Sequence, residues 1–266
     1  MNNKVINALS ILCLIVVIGI MSWRDMNPKS NIDEAYRSEM ATYYAGANIT
    51  PEMIPDDSMP ITIAVGEFSY TPDGKTVWKP QGMPATTFAQ RQINLQFHFN
   101  GLPHNPAETI EKIKAVAEDW KHKGDDPAIL ILDYSAEKPD LKSYAALLKT
   151  THDDFKKNHI DPYTIYSVIN IQWLEGSKKE AIEELQDDST VFLVQLPQAH
   201  ISEDVFSKLD SIKHNLALQF PSGTQLGDLD MPRIKKISSL IGVTLTLDPH
   251  KPIPKKEEKI GLFPKL

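Results

Sequence analysis

The chain has 266 residues, 41% of them hydrophobic and 24% charged, enough for one large globular domain or two small ones. Its 35 acidic side chains outnumber the 28 basic ones, a net charge of −7 that offers no electrostatic footprint for nucleic acid. The only cysteine, Cys13, lies in an N-terminal apolar run, so the folded part has no internal disulfide and no thiolate nucleophile or metal ligand.

Residues Val5 to Trp23 form an apolar stretch long enough to cross a bilayer as a helix, with Lys4 before it and Arg24 after it. No A-x-A-like cleavage site follows, so an uncleaved anchor over residues 1–24 is expected rather than a signal peptide. Lys4 and the amino terminus stand against Arg24, Lys29 and Arg37, so the positive-inside count gives no orientation. A large domain behind a short N-terminal tail places the folded part outside the cytoplasm. Residues 25–59 read as a polar stalk with a short helix in the amphipathic patch Ile32 to Tyr44.

Ile61 to Phe68 reads as the first strand. Ser69 to Gln92, punctuated by Pro and Gly and holding Trp78, reads as a long loop. Ile93 to Asn100 then alternates strictly: Asn94, Gln96, His98 and Asn100 on one side, Leu95, Phe97 and Phe99 on the other. Asn105-Pro106 starts a helix with Ile110, Ile113, Ala117 and Trp120 on one face. Strand Ala128 to Asp133 follows, then a helix carrying Leu141, Tyr144, Ala145, Leu148 and Phe155. Strand Thr164 to Gln172 leads to the capping box Ser177 to Glu180 and a helix with Ile182 and Leu185. Strand Thr190 to Leu196, a helix with Val205, Phe206, Leu209 and Ile212, strand Leu216 to Phe220, helix Pro232 to Leu240 and strand Val243 to Leu247 complete the pattern. The tail from 251 is charged and reads as solvated.

Alternating strands and helices predict βα units and a parallel sheet. Parallel strands covered on both faces normally read as unbroken apolar runs. Here Gln195, Gln219, Thr244 and Thr246 repeat the polar alternation of Ile93 to Asn100 on later strands, and a wet interior explains that. The expected fold is therefore α/β, a complete or slightly incomplete (β/α) barrel over residues 60–250 behind a membrane anchor. About seven strands and at least five helices are legible by periodicity. A doubly wound open sheet is the alternative.

In parallel barrels the working face is the C-terminal end of the strands. Asp133 closes the apolar run Ile129-Leu130-Ile131-Leu132, where a partly desolvated carboxyl group suits proton transfer; the plainer reading is a loop cap. Glycoside hydrolysis needs two carboxyl groups facing one sugar bond, and Glu175 or Asp248 is the candidate partner. His98, Asn100, Tyr134, Gln172, Trp173 and Gln195 are candidate ligand contacts, with Trp173 either stacking on a sugar ring or packing beneath a helix. His98 and His104 lack a third ligand unless Asp133 supplies it, a weak constellation, so no metal site is expected. No G-x-S-x-G, phosphate loop or dinucleotide fingerprint is present, so no cofactor is expected.

Leu130-Ile131-Leu132-Asp133-Tyr134, Tyr144-Ala145-Ala146-Leu147-Leu148 and Ser167-Val168-Ile169-Asn170-Ile171-Gln172-Trp173-Leu174 together form a pattern. It resembles the bacterial domain of unknown function three-one-four-two, a glycosidase-like barrel family. Val191 to Gln195 and Leu216 to Leu218 fall where that family has its next two strands, and the resemblance runs from about Gln92 to Pro249. It implies a barrel that recognises or processes a saccharide, without naming a reaction. Two positions depart from the family: Ser135 stands where it usually has a second aspartate, and His98 where it tends to have an arginine. Loss of one acid of a pair favours the rival expectation, a structural or interaction module on a degenerate barrel.

Overall fold

The computed structural model describes residues 41–250, apart from 55–58, 87, 89–90, 125–126, 135, 137–138, 159–163, 175–184 and 186–189. Among the described residues nine strands run in chain order: β1 (Ala41–Ala45), β2 (Ile61–Tyr70), β3 (Thr76–Pro80), β4 (Ile93–Asn100), β5 (Ile129–Asp133), β6 (Thr164–Asn170), β7 (Thr190–Gln195), β8 (Leu216–Phe220) and β9 (Leu240–Thr246). Among the described residues four α-helices lie between them: α1 (Pro106–His122), α2 (Leu141–Lys157), α3 (Glu203–Asp210) and α4 (Met231–Ile234). All strands except β3 pair in parallel, and β1 joins both β9 and β2, which closes an eight-stranded parallel barrel. The strand β3 folds back antiparallel on β2 beyond the point where β1 stops. The (β/α) barrel is thus closed, and the open-sheet alternative does not apply.

Closure gives every strand an inner and an outer face. Outward side chains such as Leu95, Phe97, Leu132, Ile169, Val194 and Leu218 belong to the large core beneath the helices. Ile113, Ala117 and Trp120 of α1 and Tyr144, Leu148 and Phe155 of α2 cover it. A separate small cluster, Ile131, Val168, Leu193 and Ala217, fills the inside of the barrel between β5 and β8. The opposite inner wall is polar: Thr62, Asn94, Gln96 and Thr244 are all buried there, because alternation puts them on the side away from the outer core.

The helix starts follow their caps. Asn105 Oδ1 accepts from Ala107 N at 3.2 Å ahead of Pro106, and Asp140 Oδ1 accepts from Ser143 N at 3.0 Å. The fully buried Tyr144 ties α2 to the barrel: its hydroxyl donates to Leu132 O at 2.6 Å and accepts from Ser167 Oγ at 3.0 Å.

Four elements differ from the sequence reading. The stretch Ala41–Ala45, placed at the end of an amphipathic helical patch in the stalk, is the first barrel strand; its tyrosines and Thr42 suit the pleat. The loop Ser69 to Gln92 contains β3, whose Trp78 packs 4.6 Å from Phe68 between ring centres. Strand β6 ends at Asn170, and Ile171–Leu174 turns as a 3₁₀ helix. Helix α4 is a single turn, not the longer helix expected from Pro232 to Leu240. The expected helix over 177–185 and the anchor over 1–24 lie outside the described residues, save for the buried Leu185. Among the described residues no helix is long and apolar enough to cross a membrane.

Trp78 reaches the outer wall because Gly66 has no side chain. A Cβ on Gly66 meets the Trp78 ring at 2.3 Å and the Lys79 carbonyl oxygen at 2.8 Å. Gly66→Ala is therefore expected to destabilise the protein by roughly 1 to 3 kcal/mol, as overpacking does. Urea unfolding of the variant measures this, and unchanged stability would contradict the packing.

Candidate functional site

Two rows of inward side chains line the C-terminal rim of the barrel. In the first, register pairs Glu67 with His98 and His98 with Asp133 across β2, β4 and β5. In the second, it pairs Asn170 with Gln195, Gln195 with Gln219 and Gln219 with Thr244 across β6 to β9. Below them lie the apolar cluster on one wall and the Thr62–Asn94–Gln96 wall on the other.

Asp133 is the centre of the first row. It is buried, and its Oδ2 accepts from Gln96 Nε2 at 2.9 Å. His98 Nδ1 lies 3.5 Å from the same oxygen. The hydrogen bond to Asp133 raises the His98 pKa; partial burial opposes this, and the negative charges of Asp133 and Glu67 add to it. Tyr44, on β1, is held well above the usual phenol range by burial and then by the charge of Asp133, which puts it within electrostatic reach of the carboxylate. Glu67 Oε2 accepts from Gln81 Nε2 at 3.0 Å.

In the second row, Gln195 Nε2 stands 3.5 Å from Gln219 Oε1, and Gln219 Nε2 stands 3.5 Å from Thr246 Oγ1. These are long contacts, at the margin of hydrogen bonding, and they leave the carboxamides with capacity for a ligand. Thr246 Oγ1 donates to Phe220 O at 2.6 Å. Asn170 Oδ1 accepts from Gln172 N at 2.9 Å and so fixes the turn after β6.

The structure therefore brings Asp133, His98 and Gln195 to the inner rim. Asn100 is exposed at the end of β4, and Gln172 is exposed in the turn. Tyr134 is buried against Tyr144, with ring centres 5.4 Å apart, and Trp173 is buried in the outer core. Both face the helices, so neither offers a free ring to a sugar; Trp173 takes the packing role. Asp248, just past β9, accepts from His250 N at 2.9 Å and orders its own turn. Glu175 and Ser135 lie outside the described residues. Among the described residues no three His, Cys, Asp or Glu side chains come together in a way that could hold a metal ion.

Sequence reasoning missed Glu67 and Tyr44. Tyr44 was missed together with its strand. Glu67 was missed because the register shifts between Ala64 and Gly66. Thr62 and Ala64 face inward before that bulge, and the extra residue turns Glu67 inward after it. A strand with even-numbered polar positions followed by an odd-numbered acid is the available signal.

No family model matches the chain, and no curated protein matches it. Solved structures do. The catalytic domain of a family GH18 chitinase from the fern Peteris ryukyuensis is similar with a TM-score of 0.56 at 12% identity, over 77% of this chain and 90% of that one. The ICChI chitinase from Ipomoea carnea is similar with a TM-score of 0.53 at 12% identity, over 78% of this chain and 94% of that one. At this identity the likeness is one of fold alone, a TIM-type barrel.

The raised His98 pKa fixes a sign. Stability from the His98–Asp133 pair is fully present below the ordinary histidine pKa and is lost as pH rises through the higher folded value. The stability difference between the wild type and Asp133→Asn should therefore shrink as pH is taken from about 5.5 to about 8.5. Equilibrium unfolding across that range measures it, and a pH-independent difference would contradict the pairing.

Proposed function

We propose that the C-terminal mouth of the barrel recognises a saccharide. The observation that carries this reading is the rim itself. Glu67, His98, Asp133, Gln195, Gln219 and Thr246 come from six strands and line the inner rim with mixed donors and acceptors, as an array of sugar hydroxyls requires. The barrel shared with chitinase catalytic domains supports it, since those proteins act on a polysaccharide. The resemblance to the three-one-four-two family points the same way. The apolar stretch Val5 to Trp23 supports a membrane-tethered, exported protein, for which an envelope glycan is the natural ligand.

Recognition is favoured over hydrolysis by what holds the acids. Asp133 serves Gln96 and His98, Glu67 serves Gln81, and Asp248 serves its own turn. A hydrolytic pair needs one carboxyl group that keeps its proton beside the scissile oxygen, and each of these three described groups accepts at one oxygen, an interaction that favours the ionised form. Hydrolysis is the second reading, favoured by the catalytic domains that share the fold.

Titration of chitin oligosaccharides, cello-oligosaccharides and peptidoglycan fragments into isotope-labelled protein tests the proposal. The expected outcome is saturable binding by at least one of them, with amide shifts at Tyr44, His98, Asn170, Gln195 and Gln219. Product analysis of the same samples separates recognition from cleavage. Shifts confined to the helical exterior, or no binding by any of these ligands, would overturn the reading.

A further inference from the structure

Three ionisable side chains lie side by side on the inner rim, and they are unequally available. Glu67, His98 and Asp133 occupy one register row, so the imidazole sits between two carboxylates carried by neighbouring strands. Asp133 keeps 9% of its side-chain surface exposed, whereas His98 keeps 40%. Asp133 is also committed beneath, where Gln96 Nε2 donates to it. Gln96 is itself buried, and its Oε1 has no protein partner, so an unpaired acceptor points into the floor of the site. With Nδ1 turned to Asp133, His98 has Nε2 left for whatever enters the mouth.

We propose that His98 is the group of the mouth that meets the ligand and carries its exchangeable proton, with Asp133 and Glu67 as positioning residues on either side. For the identity of the ligand this rests on the saccharide reading; for the proton it does not. The bulge in β2 and the Gln81 side chain are what hold Glu67 in the row.

The chemistry follows from the two ring nitrogens. While Nδ1–H is held toward Asp133, a neutral imidazole presents Nε2 as an acceptor; protonation makes Nε2 a donor. The surrounding wall is rich in acceptors: two carboxylates and Gln96 Oε1. The imidazolium thus supplies the donor that sugar oxygens lack there, and the flanking carboxylates favour that form, the direction in which His98 is shifted. The groups that act on it are Asp133 from β5 and Glu67 from β2, while Tyr44 from β1 faces Asp133 and stays neutral. Ligand affinity is then highest with His98 protonated and declines as it loses its proton.

Two measurements on the full chain test this. Side-chain NMR titration of His98 needs no ligand. It is expected to give a midpoint above that of an ordinary histidine, lowered in Asp133→Asn and lowered less in Glu67→Gln. Affinity for the tightest-binding oligosaccharide is expected to fall about tenfold as pH rises through that midpoint, the weight of one charge-assisted hydrogen bond. His98→Gln should bind weakly at every pH. Glu67→Gln, a change at a partly exposed residue, keeps the test open should Asp133→Asn fold poorly. A midpoint unmoved in both variants overturns the row as a unit. A shifted midpoint with affinity independent of pH and unchanged in His98→Gln overturns His98 as the contact and leaves saccharide recognition standing. No binding by any oligosaccharide overturns saccharide recognition and His98 as its contact, while the His98 titration alone decides the row.

Discussion

Closure of the barrel by β1 is the constraint on which the rest depends. This strand of five residues pairs with β9 through Ala41 to Tyr44 and with β2 through Tyr43 to Ala45. Without it, β9 and the first part of β2, Ile61 to Ile63, would be open edges of a parallel sheet, with unpaired backbone groups. With it, the sheet acquires an inside that no helix can reach. The strands must then supply two different surfaces, an apolar one for the helices and an inner one that fills or lines the barrel. The polar residues that look misplaced in a buried parallel sheet are the inner surface.

That inner surface is divided, and the division positions the chemistry. Ile131, Val168, Leu193 and Ala217 plug the barrel on the β5 to β8 side. Across from them Thr62, Asn94, Gln96 and Thr244 keep the wall polar though buried. Asp133 stands where the two meet, one step above Ile131 on its strand and tied to Gln96 of the polar wall. A carboxylate over an apolar plug would be costly alone; the Gln96 amide and the His98 imidazole are what make it tolerable there. The same arrangement turns the more exposed histidine toward the mouth, so stability and recognition draw on the same contacts.

Much of this was legible in the sequence, for particular reasons. Asn94 to Asn100 alternates so strictly that one face had to be polar, and that face is the inner wall. The cap at Asn105 marks a helix start because its side chain satisfies a backbone N–H group locally, with no need of tertiary context. What escaped depends on long-range pairing. The strand β1 is short, and only its bonds to β2 and β9, distant in sequence, make it a strand. Trp78 looked like part of a loop because its strand exists only by pairing back on β2, where Phe68 packs against its ring and Gly66 leaves room for it. Glu67 fell off the pattern because one bulge reverses inside and outside, a shift that alternation alone cannot foresee. Tyr134, a candidate ligand contact, sits one position out of phase with inward-facing Asp133, and Trp173, the candidate stacking ring, lies in the 3₁₀ turn after β6; both are buried in the outer core.

Amide hydrogen exchange of β1 tests the account most directly. If closure by this strand holds the barrel, the backbone amides of Tyr43 and Tyr44 should exchange only through global unfolding. Their protection would then equal that of the central strands β5 and β6. Exchange of those amides on the timescale of exposed loops, while β5 and β6 stay protected, would contradict it: the sheet would be stable without closing, and its polar face would need another explanation.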